Sequence, residues 1–159
     1  MENLIKKNFK KYIIVRLPKV VGFNKNKKNL INFFYHKIIN NYKFKLWSNS
    51  KRNIIYIGDA VKIFFNFIKK IIRKNKKINL EVNIANTKFV SSNEIVSIIE
   101  KLTSTNARYD KIEFGHLNWK TKPLISKSII ETFGINFNRF YLEKILEKYY
   151  YFLNSFKFY

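Results

Sequence analysis

The run Arg52-Asn-Ile-Ile-Tyr-Ile-Gly-Asp59, continued at once by Ala-Val-Lys-Ile-Phe-Phe65, places a guanidinium and a carboxylate at the two ends of a short apolar segment. A guanidinium just before a buried strand can give a phosphate forked, charge-assisted hydrogen bonds. The same side chain can also cap a loop or pair with a carboxylate. Asp59 stands where an N-cap would open the next helix. Asn29 precedes a second helical stripe, where an amide and a helix N-terminus can receive a phosphate oxygen, or simply start the helix. General acid–base and metal chemistry have little to draw on. His36 lies near a helix stripe and His116 in a loop, and both read as packed or solvated imidazoles. Two imidazoles and no cysteine suggest neither a zinc site nor thiolate or disulfide chemistry. The chemistry on offer is anion binding, with no catalytic and no metal-ligating residue singled out.

The elements that must position these groups alternate between strand and helix patterns. Residues 1–10 read as the end of a helix carrying Leu4, Ile5 and Phe9. Tyr12 to Leu17 is a β-rich run ended by Pro18. Residues 23–28 form a polar loop, and Asn29 to Asn40 carries the stripe Leu30, Phe33, Phe34, Ile38. Phe44 to Trp47 is a short strand, and Ile54 to Ile57 the next. The helix from Asp59 to about Lys74 has Val61, Phe64, Phe65, Ile68, Ile71 and Ile72 on one stripe. Leu80 to Ala85 is another strand. Ser91-Ser-Asn-Glu94 is a capping box opening a helix with Ile95, Ile98, Ile99 and Leu102. Arg108–Phe114 reads as a strand, Ser126–Phe133 as a helix stopped by Gly134, and Asn138–Leu153 as a last helix. No repeat or linker divides the chain, so the expectation is one α/β unit.

The chain has 159 residues and a net charge of +22. Lysine supplies nearly all the positive charge. The arginines, favoured for bidentate phosphate and guanine contacts, are Arg16, Arg52, Arg73, Arg108 and Arg139. Lys, Asn, Ile, Phe and Tyr are inflated together and the lysines are spread from end to end, so a solvated surface ranks ahead of a nucleic-acid face. No secretion signal and no spanning segment is expected, and the cytoplasm is the default compartment.

Five ordered segments resemble the C-terminal half of extended short-chain dehydrogenases/reductases acting on nucleotide sugars. They are Tyr12-Ile-Ile-Val-Arg-Leu-Pro-Lys-Val-Val-Gly22; the strand Phe44–Trp47; Arg52 to Asp59; Glu81-Val-Asn-Ile-Ala-Asn86 with the helix from Ser91; and Ser126-Lys127 through Phe133-Gly134-Ile135. The resemblance implies a partial Rossmann-like fold, the last strands of a parallel sheet with a small substrate-binding lobe. It implies that Arg52 meets the diphosphate, that Asn29 also contacts phosphate, and that the Phe44 and Leu46 segment holds the base through backbone groups. Pro18 falls at the cofactor and Lys19 near the sugar, where relatives usually carry asparagine. Leu124 falls where many have aspartate.

The cofactor of the complete enzyme would be NAD or NADP, and the chemistry hydride transfer with transient oxidation of a sugar carbon. Two pieces of that machinery are missing. Gly22, Gly58, Gly115 and Gly134 are not spaced as Gly-x-Gly-x-x-Gly, and no tyrosine has a lysine four residues later. The expectation is therefore a nucleotide-sugar-binding part without the N-terminal dinucleotide-binding half. It would be inactive and hold no cofactor alone, and would be unstable, oligomeric or completed by a separate N-terminal half. Two other classes remain: a basic nucleic-acid-binding module, though no specific recognition pattern is present, and a membrane-surface protein using Leu142, Ile145, Leu146, Tyr149 and Leu153.

Overall fold

The β-branched run Tyr12–Arg16 forms β1, which pairs in parallel with β5 (Asn79–Asn83), Tyr12 facing Asn79 and Arg16 facing Asn83. The computed structural model describes residues 1–24, 26–48, 50–73, 79–86, 88–113, 137–138 and 140–155. Because strand side chains alternate, Val15 and Val82 share one face of this pair, and Arg16 and Glu81 the other. On the first face lie Ala60 and Ile63 of α3 (Ile57–Arg73), in a small core with Ile55, Ile84 and Phe137. On the second lies α1 (Glu2–Asn8), held by charge: Arg16 donates to Glu2 and Glu81, and Lys6 pairs with Glu81 at 2.5 Å. Helix, parallel pair and helix thus stack as three layers.

Only Leu17 and Pro18 separate β1 from β2 (Lys19–Val21), yet β2 belongs to a different sheet. It runs parallel to β4 (Lys51–Tyr56), whose first half pairs antiparallel with β6 (Phe89–Ser91). A third pair joins β3 (Phe44–Trp47) to β7 (Tyr109–Ile112) in parallel. The main core lies among these strands and three helices: α2 (Leu30–Ile39), α4 (Ser92–Thr103) and α5 (Tyr141–Ser155). Ile38, Leu46, Ile54, Ile99 and Leu146 are fully buried there, and the Tyr35 hydroxyl, buried with them, donates to the Leu146 carbonyl at 2.7 Å.

The α/β architecture and strands β1, β3, β4, β5 and β7 follow the sequence pattern; β2 is an addition to it, and four further differences stand out. Arg52 lies inside β4 and not ahead of it, because Lys51–Asn53 pair with β6, a strand the pattern did not single out. Asp59 is in the first turn of α3 and not its N-cap: the helix already starts at Ile57. The stripe of α3 is turned outward, since Ala60 and Ile63 are buried while Val61, Phe64 and Phe65 are 59%, 44% and 57% exposed. The face of α5 offered to a membrane is spent in the core, where Leu142, Ile145, Leu146 and Tyr149 are buried and Leu153 packs against them. The helix expected at Ser126–Phe133, His116 and Leu124 lie outside the described residues. The capping box is formed: Ser91 Oγ accepts from Glu94 N–H at 3.1 Å, and Glu94 accepts from Ser91 N–H at 2.6 Å. Among the described residues no helix is long and apolar enough to cross a membrane.

Candidate functional site

Where β1 ends and β2 begins, the chain crosses from one sheet to the other, and where β5 ends it crosses again toward β6. A cleft of about 220 Å³ lies between these crossings. Arg16, Leu17 and Pro18 line it from the end of β1, and Asn83, Ile84 and Ala85 from the end of β5. Lys19 of β2, Lys51, Arg52 and Asn53 of β4, and Phe89 of β6 complete the wall. The cleft therefore sits past the carboxyl ends of two parallel strands, the place where open α/β sheets receive ligands.

Arg52 is its most distinctive group. Its Nε is buried without a hydrogen-bond partner, and Arg52 has no ion-pair partner among the described residues. A buried donor on a charged group costs free energy when left unmade, so the geometry favours an anionic acceptor. The neighbouring arginine is differently placed. Arg16 is paired with Glu2 and Glu81, and these hydrogen bonds, Glu2 first, hold its pKa above the ordinary guanidinium value. It braces the wall, while Arg52 is the group left to bind.

The position of Arg52 is set by the residue after it. Asn53 and Asn86, both buried, form a reciprocal clasp: Asn53 Nδ2 donates to the Asn86 carbonyl at 2.7 Å, and Asn86 N–H donates to Asn53 Oδ1 at 2.8 Å. Asn86 Nδ2 also donates to the Ile54 carbonyl at 3.1 Å, and Lys88 N–H to Asn86 Oδ1 at 2.9 Å. This ties the crossing after β5 to β4. At the far end of β4, the Tyr141 hydroxyl accepts from Tyr56 N–H at 3.0 Å and donates to Asp59 Oδ2 at 2.7 Å. Burial, with the Asp59 carboxylate adding to it, raises the Tyr141 pKa, so this phenol stays a donor.

Of the residues expected from the sequence, Pro18, Lys19 and Arg52 come together in the cleft. Asn29, Phe44 and Leu46 do not line it. Asn29 caps α2, its Oδ1 accepting from Leu30 N–H at 3.2 Å. The Phe44 and Leu46 side chains point into the main core, and their strand is hydrogen-bonded along β7, with Phe44 N–H donating to the Arg108 carbonyl at 3.0 Å. Burial, with Lys27 and Lys37 nearby, lowers the His36 pKa; its ring packs near Tyr42, away from the cleft lining. Asn53 and Asn86 were not singled out. Their signal, an asparagine inside each of two apolar runs, is faint in so asparagine-rich a chain.

Among the described residues the lining contains no carboxylate and no imidazole, and no cluster of potential metal ligands exists. The cleft can bind and orient; it offers no acid–base pair. At the β4-to-α3 turn the space beside Gly58 is taken by the Tyr56 ring, since a Cβ there would lie 2.6 Å from Tyr56 Cε1.

No protein-family model and no curated protein matches the sequence. Solved structures do match the fold. A UDP-glucuronic acid 4-epimerase from Bacillus cereus, in complex with UDP-glucuronic acid and NAD, aligns with a TM-score of 0.72 at 16% identity over 97% of this chain and 49% of its own. A UDP-glucose 4-epimerase from Thermotoga maritima, with UDP-glucose, aligns at 0.66 and 15% over 98% of this chain and 50% of its own. A dTDP-glucose 4,6-dehydratase from Bacillus anthracis, in complex with NAD, aligns at 0.66 and 14% over 90% and 44%. The chain has the fold of one part of these enzymes, a partial Rossmann-like arrangement, and spans about half of their length.

Proposed function

We propose that this chain is the nucleotide-sugar-binding half of an NAD-dependent epimerase or dehydratase of the extended short-chain dehydrogenase/reductase type. The observation that carries this is the cleft beyond β1 and β5 with the unpartnered Nε of Arg52 on its wall. Arg52 would receive the diphosphate, with Lys51 beside it, while Pro18 would approach the cofactor held by a dinucleotide-binding half. That half would supply the proton-transfer pair and the glycine-rich turn. On this reading the chain alone binds a nucleotide sugar and turns nothing over.

The outward stripe of α3 and the open side of the β1–β5 pair support the same reading. Parallel pairs are normally buried within larger sheets. Here Ile14 is the one buried residue of β1, and Leu4 of α1 and Val61 and Phe65 of α3 are exposed in the two outer layers. Such faces fit a unit completed by further α/β structure.

Calorimetric titration with UDP-glucose and dTDP-glucose tests the proposal. Binding should be saturable, and Arg52→Ala should weaken it by at least about tenfold, since hydrogen bonds to charged groups contribute about 1.5–3 kcal/mol. Lys62→Ala, an exposed site on α3, should leave it unchanged. A folded chain that binds neither nucleotide, or binds equally well without Arg52, would refute the assignment.

A further inference from the structure

We infer that Lys19 makes the cleft selective for a nucleotide sugar bearing an acid group, a uronic acid in place of a neutral hexose; this rests on the proposed nucleotide-sugar reading. Among the described residues the lining includes four cations and no carboxylate. Arg16 is neutralised by Glu2 and Glu81, which leaves Lys19, Lys51 and Arg52, none of them in an ion pair among the described residues. A diphosphate diester carries two negative charges. Arg52 and Lys51, each on the cleft wall, match both. Lys19 is the surplus.

Its position suits a charge on the sugar. Lys19 opens β2 and is in register with Ile54 of β4, two residues beyond Arg52. From strand rise and spacing, the Cα atoms of Lys19 and Arg52 lie about 8 Å apart, so the two long side chains reach neighbouring and not identical places. A ligand whose diphosphate meets Arg52 would bring its sugar within reach of the Lys19 ammonium. A neutral sugar gives that cation only hydroxyls, whereas a carboxylate forms a charge-assisted hydrogen bond with it. What sets Lys19 apart is its place on a cleft wall whose described residues include no acid.

The test compares UDP-glucuronic acid, UDP-glucose and UTP by calorimetry on the wild type and Lys19→Gln, at one ionic strength. UTP carries extra charge without a sugar and reports general attraction to a basic protein. The acid sugar should bind about fivefold more tightly than UDP-glucose, the upper end for a solvent-accessible ion pair. Lys19→Gln should bring that ratio close to one while changing UDP-glucose and UTP affinity less than twofold. Equal affinity for the two sugars, or a preference that survives Lys19→Gln, would overturn the assignment while leaving the nucleotide-sugar reading intact. Loss of affinity for all three ligands in Lys19→Gln would also overturn it, by making Lys19 a diphosphate contact. If the wild type binds none of the three, the broader reading fails and this one with it.

Discussion

Replacing Asn53 with alanine should be strongly destabilising, and the amount can be worked from its two hydrogen bonds to Asn86. Asn53 and Asn86 are 8% and 5% exposed, and their bonds of 2.7 and 2.8 Å leave little room for water to substitute. Truncation strands the Asn86 N–H and carbonyl in a buried crossing. Each orphaned group costs about 1–3 kcal/mol, so a loss of about 2–6 kcal/mol is expected. Domains of this size are stable by only about 5–15 kcal/mol, so this is a large fraction of the whole. With a urea slope of about 2 kcal/mol/M, the midpoint should fall by about 1–3 M. Ser91→Ala is the internal standard: it removes an exposed cap worth about 1 kcal/mol. Both are read by far-ultraviolet circular dichroism in urea. Asn53→Asp supplies a further arm, because it keeps the acceptor for Asn86 N–H but sets a carboxylate against the Asn86 carbonyl; it should be no better than alanine at neutral pH. If Asn53→Ala costs no more than Ser91→Ala, the clasp is not a buried unit and the account of how Arg52 is positioned fails.

Tyr141→Phe removes the donor to Asp59 and the acceptor of Tyr56 N–H, and should lower stability by about 1–3 kcal/mol in the same urea assay; an unchanged midpoint would show that the hydroxyl is dispensable. The clamp on α1 should be acid-sensitive. Hydrogen bonds to Arg16 for Glu2, and to Lys6 and then Arg16 for Glu81, hold both carboxyls below their ordinary value of 4.5. Depressed carboxyl values mean that the contribution is complete above 4.5 and is lost as pH falls through the lower folded values. Amide protection of α1, corrected for intrinsic rates, should hold down to that pH and decline below it, whereas Glu81→Gln should already show reduced protection at neutral pH. Finally, the double change Val61→Lys and Phe65→Lys should reduce self-association in sedimentation while moving the unfolding midpoint by no more than a surface change, about 0.5 kcal/mol. A core-sized loss would mean that α3 is turned the other way.

Much of this arrangement is legible in the sequence because the signals are local. A β-branched run ended by proline makes β1, and Ser91 with Glu94 three residues on makes the start of α4. Phe44 and Leu46 alternate with Lys45 and Trp47 and fold as a half-buried strand. What the pattern missed depends on partners distant in the chain. β6 is three residues long and exists because Lys51–Asn53 lie beside it. The orientation of α3 could not be read from periodicity, which finds an apolar stripe but not what covers it; here Ala60 and Ile63 meet the sheet and the larger side chains do not. The cleft was half legible. Arg52 and Lys19 were visible as charges beside apolar runs, but Asn53 and Asn83 became wall residues only once the two sheets were set together.

The link between β1 and β2 has a mechanical consequence. Leu17 and Pro18 are the whole of that connection, and they too line the cleft. A two-residue joint with one proline has few soft torsions, because the ring holds φ near about −65°. Relative motion of the two sheets must therefore pivot close to this joint, and the Asn53–Asn86 clasp acts as the latch on the second crossing. A ligand seated against both crossings would behave as a bolt through the seam. Sheet-to-sheet opening, and not global unfolding, is then the motion such a ligand suppresses, and slow exchange of the Asn86 amide would be its signature.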